Sequence, residues 1–238
     1  MIIREIIQRI QSLYSKGVQS DDTRLSNRHI YNKLLTLRAR LVTLELKKKQ
    51  RISQWNYQTI PCVELIITPS HECPCIPPLG CDVVRSKYKL PKPLSGFSSS
   101  LIQSVTTIDR SIKIDEVSIN VVKSLVGNKY SSSKLNFFIQ SGYLYITTPT
   151  KIEVVTVTGL FEDPLEVSNF KNYCENEIDA NCTDCQECKE LQDKEFPIDN
   201  DMIDALVEMS VAELIQVFGQ GVEDLTNNSR DSLKEQSK

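Results

Sequence analysis

Apolar residues recur at helical spacing at both ends of the chain and alternate at strand spacing in between. Near the start, Ile3, Ile6, Ile7, Ile10, Leu13 and Tyr14 fall on one face of a helix over residues 2–15, with Gly17 as its expected C-terminal stop. A second helix is predicted from Ser26, a suitable N-cap, to about Arg51. Its apolar positions, Ile30, Leu34, Leu37, Leu41 and Leu44, step by four and three. Two heptads are too few for a convincing coiled coil, so this seam is expected to pack on the chain's own core.

From residue 59 the spacing changes. Cys62–Ile67, Val83–Lys89, Ile102–Ile108 and Ile112–Val117 read as strands, the last two joined across Asp109-Arg110. Phe137–Gln140 and Tyr143–Ile146, separated by Ser141-Gly142, predict a β-hairpin. Lys151–Leu160 is expected to add a third antiparallel strand to it, with Gly159 at a bulge. Helical spacing returns after Asp199, an N-cap candidate, with Ile203, Leu206, Val207, Val211, Leu214, Ile215 and Phe218 on one face and Gly219 and Gly221 beyond. Met202, Ala205 and Met209 add a second apolar strip. A helix apolar on two sides predicts a neighbour as well as a core, so Ile203, Leu206, Val207, Leu214 and Phe218 are candidate partner-binding residues.

The fold class is therefore α+β: N-terminal helices, a central antiparallel β region with a hairpin, and a C-terminal helix. The corresponding divisions are an N-terminal helical region 1–58, an antiparallel β domain 59–165, an acidic cysteine-containing loop 166–195, the C-terminal helix 196–222 and a polar, disordered tail 223–238.

Charge is uneven along the chain. The whole carries −3, but residues 1–60 hold twelve Lys/Arg against four Asp/Glu (+8), and residues 161–205 hold three Lys against fourteen Asp/Glu (−11). Opposite ends could meet within one chain or between neighbouring copies, or both could be solvated faces. No signal peptide or membrane-spanning stretch is evident, so synthesis is expected in a reducing cytoplasm, with the eight cysteines as free thiols or metal ligands.

Two cysteine groups could hold structural zinc. Cys174, Cys182, Cys185 and Cys188 place four thiols within fifteen residues, and two-residue gaps let paired thiolates reach one tetrahedral ion. Surrounding carboxylates oppose that reading. Cys62, Cys73, Cys75 and Cys81, with His71 nearby, form the second group, stiffened by Pro74, Pro77 and Pro78. The competing reading for both is a loop with reduced, non-ligating thiols. Catalysis is poorly supported: His29 and His71 are the only histidines, and there is no phosphate-binding glycine loop. No enzymatic role is expected. Trp55 and Tyr57 after the basic run Lys47–Arg51 could contact nucleic acid, but they also suit a core anchor.

Several stretches resemble a virion structural protein of crAss-like phages, the tailed viruses of gut Bacteroidales. They are Arg4–Gly17, the run from Leu25 to Leu65 with Gln54-Trp55-Asn56-Tyr57-Gln58, His71-Glu72-Cys73-Pro74-Cys75 through Cys81, Gly159–Pro164 and Phe196–Asp201. The resemblance implies a neck ring or head–tail adaptor, assembled as a homo-oligomer in the virion after synthesis in the host bacterium. Its implied neighbours are the portal protein and other neck or tail rings, with nonspecific contact to genomic DNA and no membrane. It implies no catalysis. The competing reading is a zinc-dependent nucleic-acid-binding or regulatory module.

Overall fold

The computed structural model describes residues 1–15, 25–48, 52–73, 81–95, 101–126, 134–147, 152–171, 173–176 and 193–218. These divide into two compact units: a helical one formed by residues 1–41 and 200 onward, and a β unit formed by residues 42–199.

The helical unit contains α1 (Ile3–Tyr14), the larger part of α2 (Asn27–Lys47) and α6 (Asn200–Phe218). Glu5 reaches back to accept from the Ile2 N–H at 3.1 Å, and Ser26 Oγ accepts from the His29 N–H at 3.2 Å. Both contacts satisfy first-turn donors that have no partner inside the helix. Ile3, Ile6, Ile7 and Ile10 form the buried face of α1, as the periodicity predicts. Ile30, Leu34 and Leu37 of α2 are buried, whereas Leu44 is 40% exposed, so the seam serves this core only along its first half. Arg9 pairs with Asp204 at 2.7 Å, and Lys33 pairs with Glu213.

The β unit is a closed barrel. Its strands are β1 (Gln58–Pro69), β2 (Asp82–Ser86), β3 (Ile102–Thr107), β4 (Lys113–Glu116), β5 (Asn136–Gln140), β6 (Tyr143–Ile146) and β7 (Val154–Gly159), in the order β1-β2-β6-β5-β4-β3-β7. The α+β class and the β5–β6 hairpin hold, but the wholly antiparallel expectation needs correction. β4 and β5 run parallel, and α3 (Ile119–Val126) lies between them in the chain. Parallel neighbours cannot be joined by a tight turn, so a crossover is required. β7 does not extend the hairpin; it pairs with β1 on one side and β3 on the other, and so completes the barrel.

Alternation then sorts the side chains. Val63, Leu65, Val84, Val105, Ile114, Phe137, Leu144, Ile146, Val155 and Val157 fill the interior. Their intervening neighbours Val83, Phe138 and Tyr145 form an outer cluster with Val122 of α3 and Cys73. Phe138 and Tyr145 stack with ring centres 5.1 Å apart. Burial, followed by the interaction with Cys73, pushes the Tyr145 phenol up to about 12. A raised acid favours the protonated form in the folded state. Its stabilisation is complete below the ordinary tyrosine range and is lost as pH climbs through 10 toward 12. In an ultraviolet phenolate titration, Tyr145 should ionise last or together with unfolding, and Tyr145→Phe should remove that late component.

Two irregularities shape β1 and β7. Between Ile60 and Val63 the register against β7 shifts, placing Pro61 and Cys62 opposite Thr156 alone. Such a bulge accommodates a proline, which has no N–H to donate to the ladder. At Gly159 the extra residue lies in β3, between Ile102 and Ser104, rather than in β7 itself. A Cβ on Gly159 would come within 3.2 Å of the Leu101 carbonyl oxygen, which explains why glycine suits the position.

Candidate functional site

The cysteines are placed differently from either predicted zinc group. Cys62, at the β1 bulge with φ of 56°, is disulfide-bonded to Cys174 in α5 (Tyr173–Asn176), the short helix that follows α4 (Pro164–Ser168). Their Cα atoms are 5.8 Å apart, although 112 residues separate them along the chain. Zinc is held by thiolates, and in this bonded form neither residue has one to offer. The sequence grouped cysteines by proximity along the chain, whereas the bulge joins a member of each group. Cys73 is a buried thiol in the outer cluster beside Tyr145, and Cys81 is an exposed thiol whose carbonyl accepts from the Ser70 N–H. Cys75, Cys182, Cys185 and Cys188 lie outside the described residues, as do Gly17, Gly219, Gly221 and the polar tail. Among the described residues no group of three or more His, Cys, Asp or Glu could hold a metal ion.

The predicted partner-binding face also has another use. Ile203, Leu206, Val207 and Leu214 are all buried within the chain, on the inward side of α6. Phe218 makes an edge-to-face contact with His29 at 5.2 Å, which accounts for that histidine structurally. The large apolar side chains α6 leaves to solvent are Ile215 and Val217, 48% and 66% exposed. These five residues are thus core and near-core positions; of the outward-facing pair, Ile215 was counted in the same periodic run and Val217 was not.

At one end of the barrel three isoleucines stand exposed. The strand registers bring the end of β1, the start of β2 and the β3–β4 turn to the same rim. Ile67, Ile108 and Ile112 stand there 68%, 54% and 46% exposed. The β3–β4 turn between the last two is stiffened by its own bonds. Thr107 Oγ1 donates to Asp109, and the N–H groups of Ser111 and Ile112 donate to Asp109 and Thr107 Oγ1 at 3.3 and 3.2 Å. The hydroxyls of Ser111 and Thr107 hold the Asp109 carboxyl below its ordinary range. Arg110 adopts a left-handed conformation at φ of 57°. The alternation had predicted these residues as strand ends and a turn; it gave no sign that the two isoleucines would stand exposed.

A second feature combines cations with aromatic rings. Arg85 and Lys89 lie 4.6 and 5.7 Å from the Tyr143 ring centre, and Lys87 and Lys171 lie 5.6 and 5.9 Å from that of Tyr88. Lys87 also pairs with Glu64 at 2.8 Å. Beside Tyr88, a cleft of about 680 Å³ is bounded by Lys89, Leu90, Phe170 and Lys171, with Asp163 and Glu166 in its lining. The mixed charge of this lining gives no strong pull toward one class of ligand.

The arrangement is one of surfaces and tethers around a filled barrel. Comparison with known proteins agrees: residues 5–233 match the family model described as phage tail ring protein 2. The chain belongs to that family. It is similar to "Ring protein 2" of Bacteroides phage crAss001, with 29% identity over 231 residues that span 91% of this chain and 92% of the relative. The resemblance to crAss-like virion proteins is thereby established, and the chain is a structural ring protein of a phage particle. Among the described residues no helix is long and apolar enough to cross a membrane.

Proposed function

We propose that the protein forms a homo-oligomeric ring in the neck of the particle, stacked between the portal and the tail, around the path taken by the genome. The observation that carries this reading is the family match across residues 5–233. The fold supports it in a specific way. The barrel is closed, but Phe137, Leu144, Val105 and Val157 fill its interior, so it cannot itself serve as a conduit. Any channel must be the space that several copies enclose. Contact with DNA there is nonspecific and involves the phosphate backbone rather than the bases.

A ring of identical subunits needs two different, complementary patches on each copy. The rim bearing Ile67, Ile108 and Ile112 is the candidate for one of them, since exposed apolar groups gain most from a partner. The test is the mass of the full chain in solution, alone and with the portal protein. A large cyclic oligomer, or one that forms only on the portal, is the expected result. A chain that stays monomeric with and without the portal would overturn the reading. The double variant Ile108→Asp with Ile112→Asp should leave the melting temperature within about 5 °C of the parent, because both side chains are about half exposed. The same variant should lower the yield of oligomer at least about tenfold, corresponding to roughly 1.4 kcal/mol of lost contact.

A further inference from the structure

We propose that the Cys62–Cys174 bond is a lock closed after synthesis: the chain folds with both thiols free, and later oxidation clamps α5 to β1 of the barrel. This rests on the reading that the protein is made in a bacterial cytoplasm and serves in the released particle.

The position is built for such a bond. The β1 bulge gives one extra residue, and the left-handed backbone at Cys62 redirects the chain where Cys174 approaches. The Cα separation of 5.8 Å falls in the range disulfides span. The partner element needs a tether. α5 is a single turn of four residues, too short to hold its own helical form, and its Tyr173 is 37% exposed. In a thiol-rich cytoplasm the pair would stay reduced, whereas outside the cell no thiol pool opposes the bond.

The oxidant is a small-molecule disulfide. Cys174, the more accessible residue, attacks as thiolate and releases one small thiolate, leaving a mixed disulfide. Cys62, 8% exposed, then attacks the Cys174 sulfur and releases the second. Two protein thiols are oxidised, one small disulfide is reduced to two thiols, and the two protons go to the released thiolates. Because the closed loop spans 112 residues, the bond removes much freedom from the unfolded chain.

Infected cells and purified particles are quenched with a thiol alkylator and digested without reduction. We expect Cys62 and Cys174 to be separately alkylated in newly made intracellular protein and joined in one cross-linked peptide from particles. Both residues alkylated in particles, with or without bound zinc, or already joined inside cells, would overturn the lock. Absence of the protein from particles would instead overturn the virion reading, and the purified full chain then decides. Oxidised with glutathione disulfide, that chain should lose about 5–15 °C of melting temperature when reductant is added. Cys174→Ser should be indifferent to the same reductant. A parent chain whose melting is unmoved by reduction would remove the lock whatever the particles contain.

Discussion

Leu206→Asp will unfold the helical unit. Leu206 is fully buried on the inward side of α6, in a unit whose buried face on α1 is made of Ile3, Ile6, Ile7 and Ile10. An aspartate there must either lose its hydration without a partner or take up a proton, and truncation also removes apolar contact. The combined loss should exceed about 4 kcal/mol, against a typical total stability of about 5–15 kcal/mol. Leu206→Met, which conserves volume, should cost less than about 1.5 kcal/mol. Ile215→Asp, on the outward side at 48% exposure, should stay within about 0.5 kcal/mol. Urea unfolding followed by far-ultraviolet circular dichroism distinguishes the three. If Leu206→Asp kept its helicity yet failed to assemble, α6 would be a docking element after all. Loss of helicity identifies its inward face as core.

Phe137→Ala should be the most damaging of the simple truncations in the barrel. Phe137 is 2% exposed and belongs to the interior cluster shared by all seven strands. In a closed barrel the opposing strands cannot draw together without breaking ladder bonds, so the lost ring leaves a void rather than a collapse. The expected cost is about 3–5 kcal/mol, lowering the melting temperature of the β unit by roughly 6–20 °C. Phe138→Ala should cost less, because its ring lies in the smaller outer cluster, against Tyr145. Denaturant midpoints at an unchanged slope measure both. Equal losses at the two positions would contradict the assignment of Phe137 to the tighter interior.

Local pattern made most of the elements legible, while pairing was mostly hidden. Phe137–Ile146 announced its hairpin because a two-residue glycine turn fixes the register of both strands at once. β7 read correctly as a strand, yet its neighbours did not follow from sequence order: β1 begins some hundred residues earlier in the chain. α3 escaped notice because Ile119, Val121, Val122 and Val126 are β-branched, and the crossover demanded by the parallel β4–β5 pair overrode that local preference. The disulfide was hidden for the same kind of reason. Cys62 and Cys174 are remote in sequence, and only the bulge and the return of the chain after β7 bring them together. The family resemblance was legible throughout, but it carries no information about which isoleucines remain exposed.

Asn56 Oδ1 accepts a hydrogen bond from the Asp199 N–H at 3.1 Å, so the β unit is stitched together where the chain enters and where it leaves. The barrel is thus an insertion, interrupting a helical sequence that resumes at Asn200. An inserted body whose two ends meet can be exchanged or lengthened without respacing the helices on either side. Ring proteins built on this plan could vary the part held between the helices and keep the helices themselves, a division of labour open to recombination as well as to gradual change.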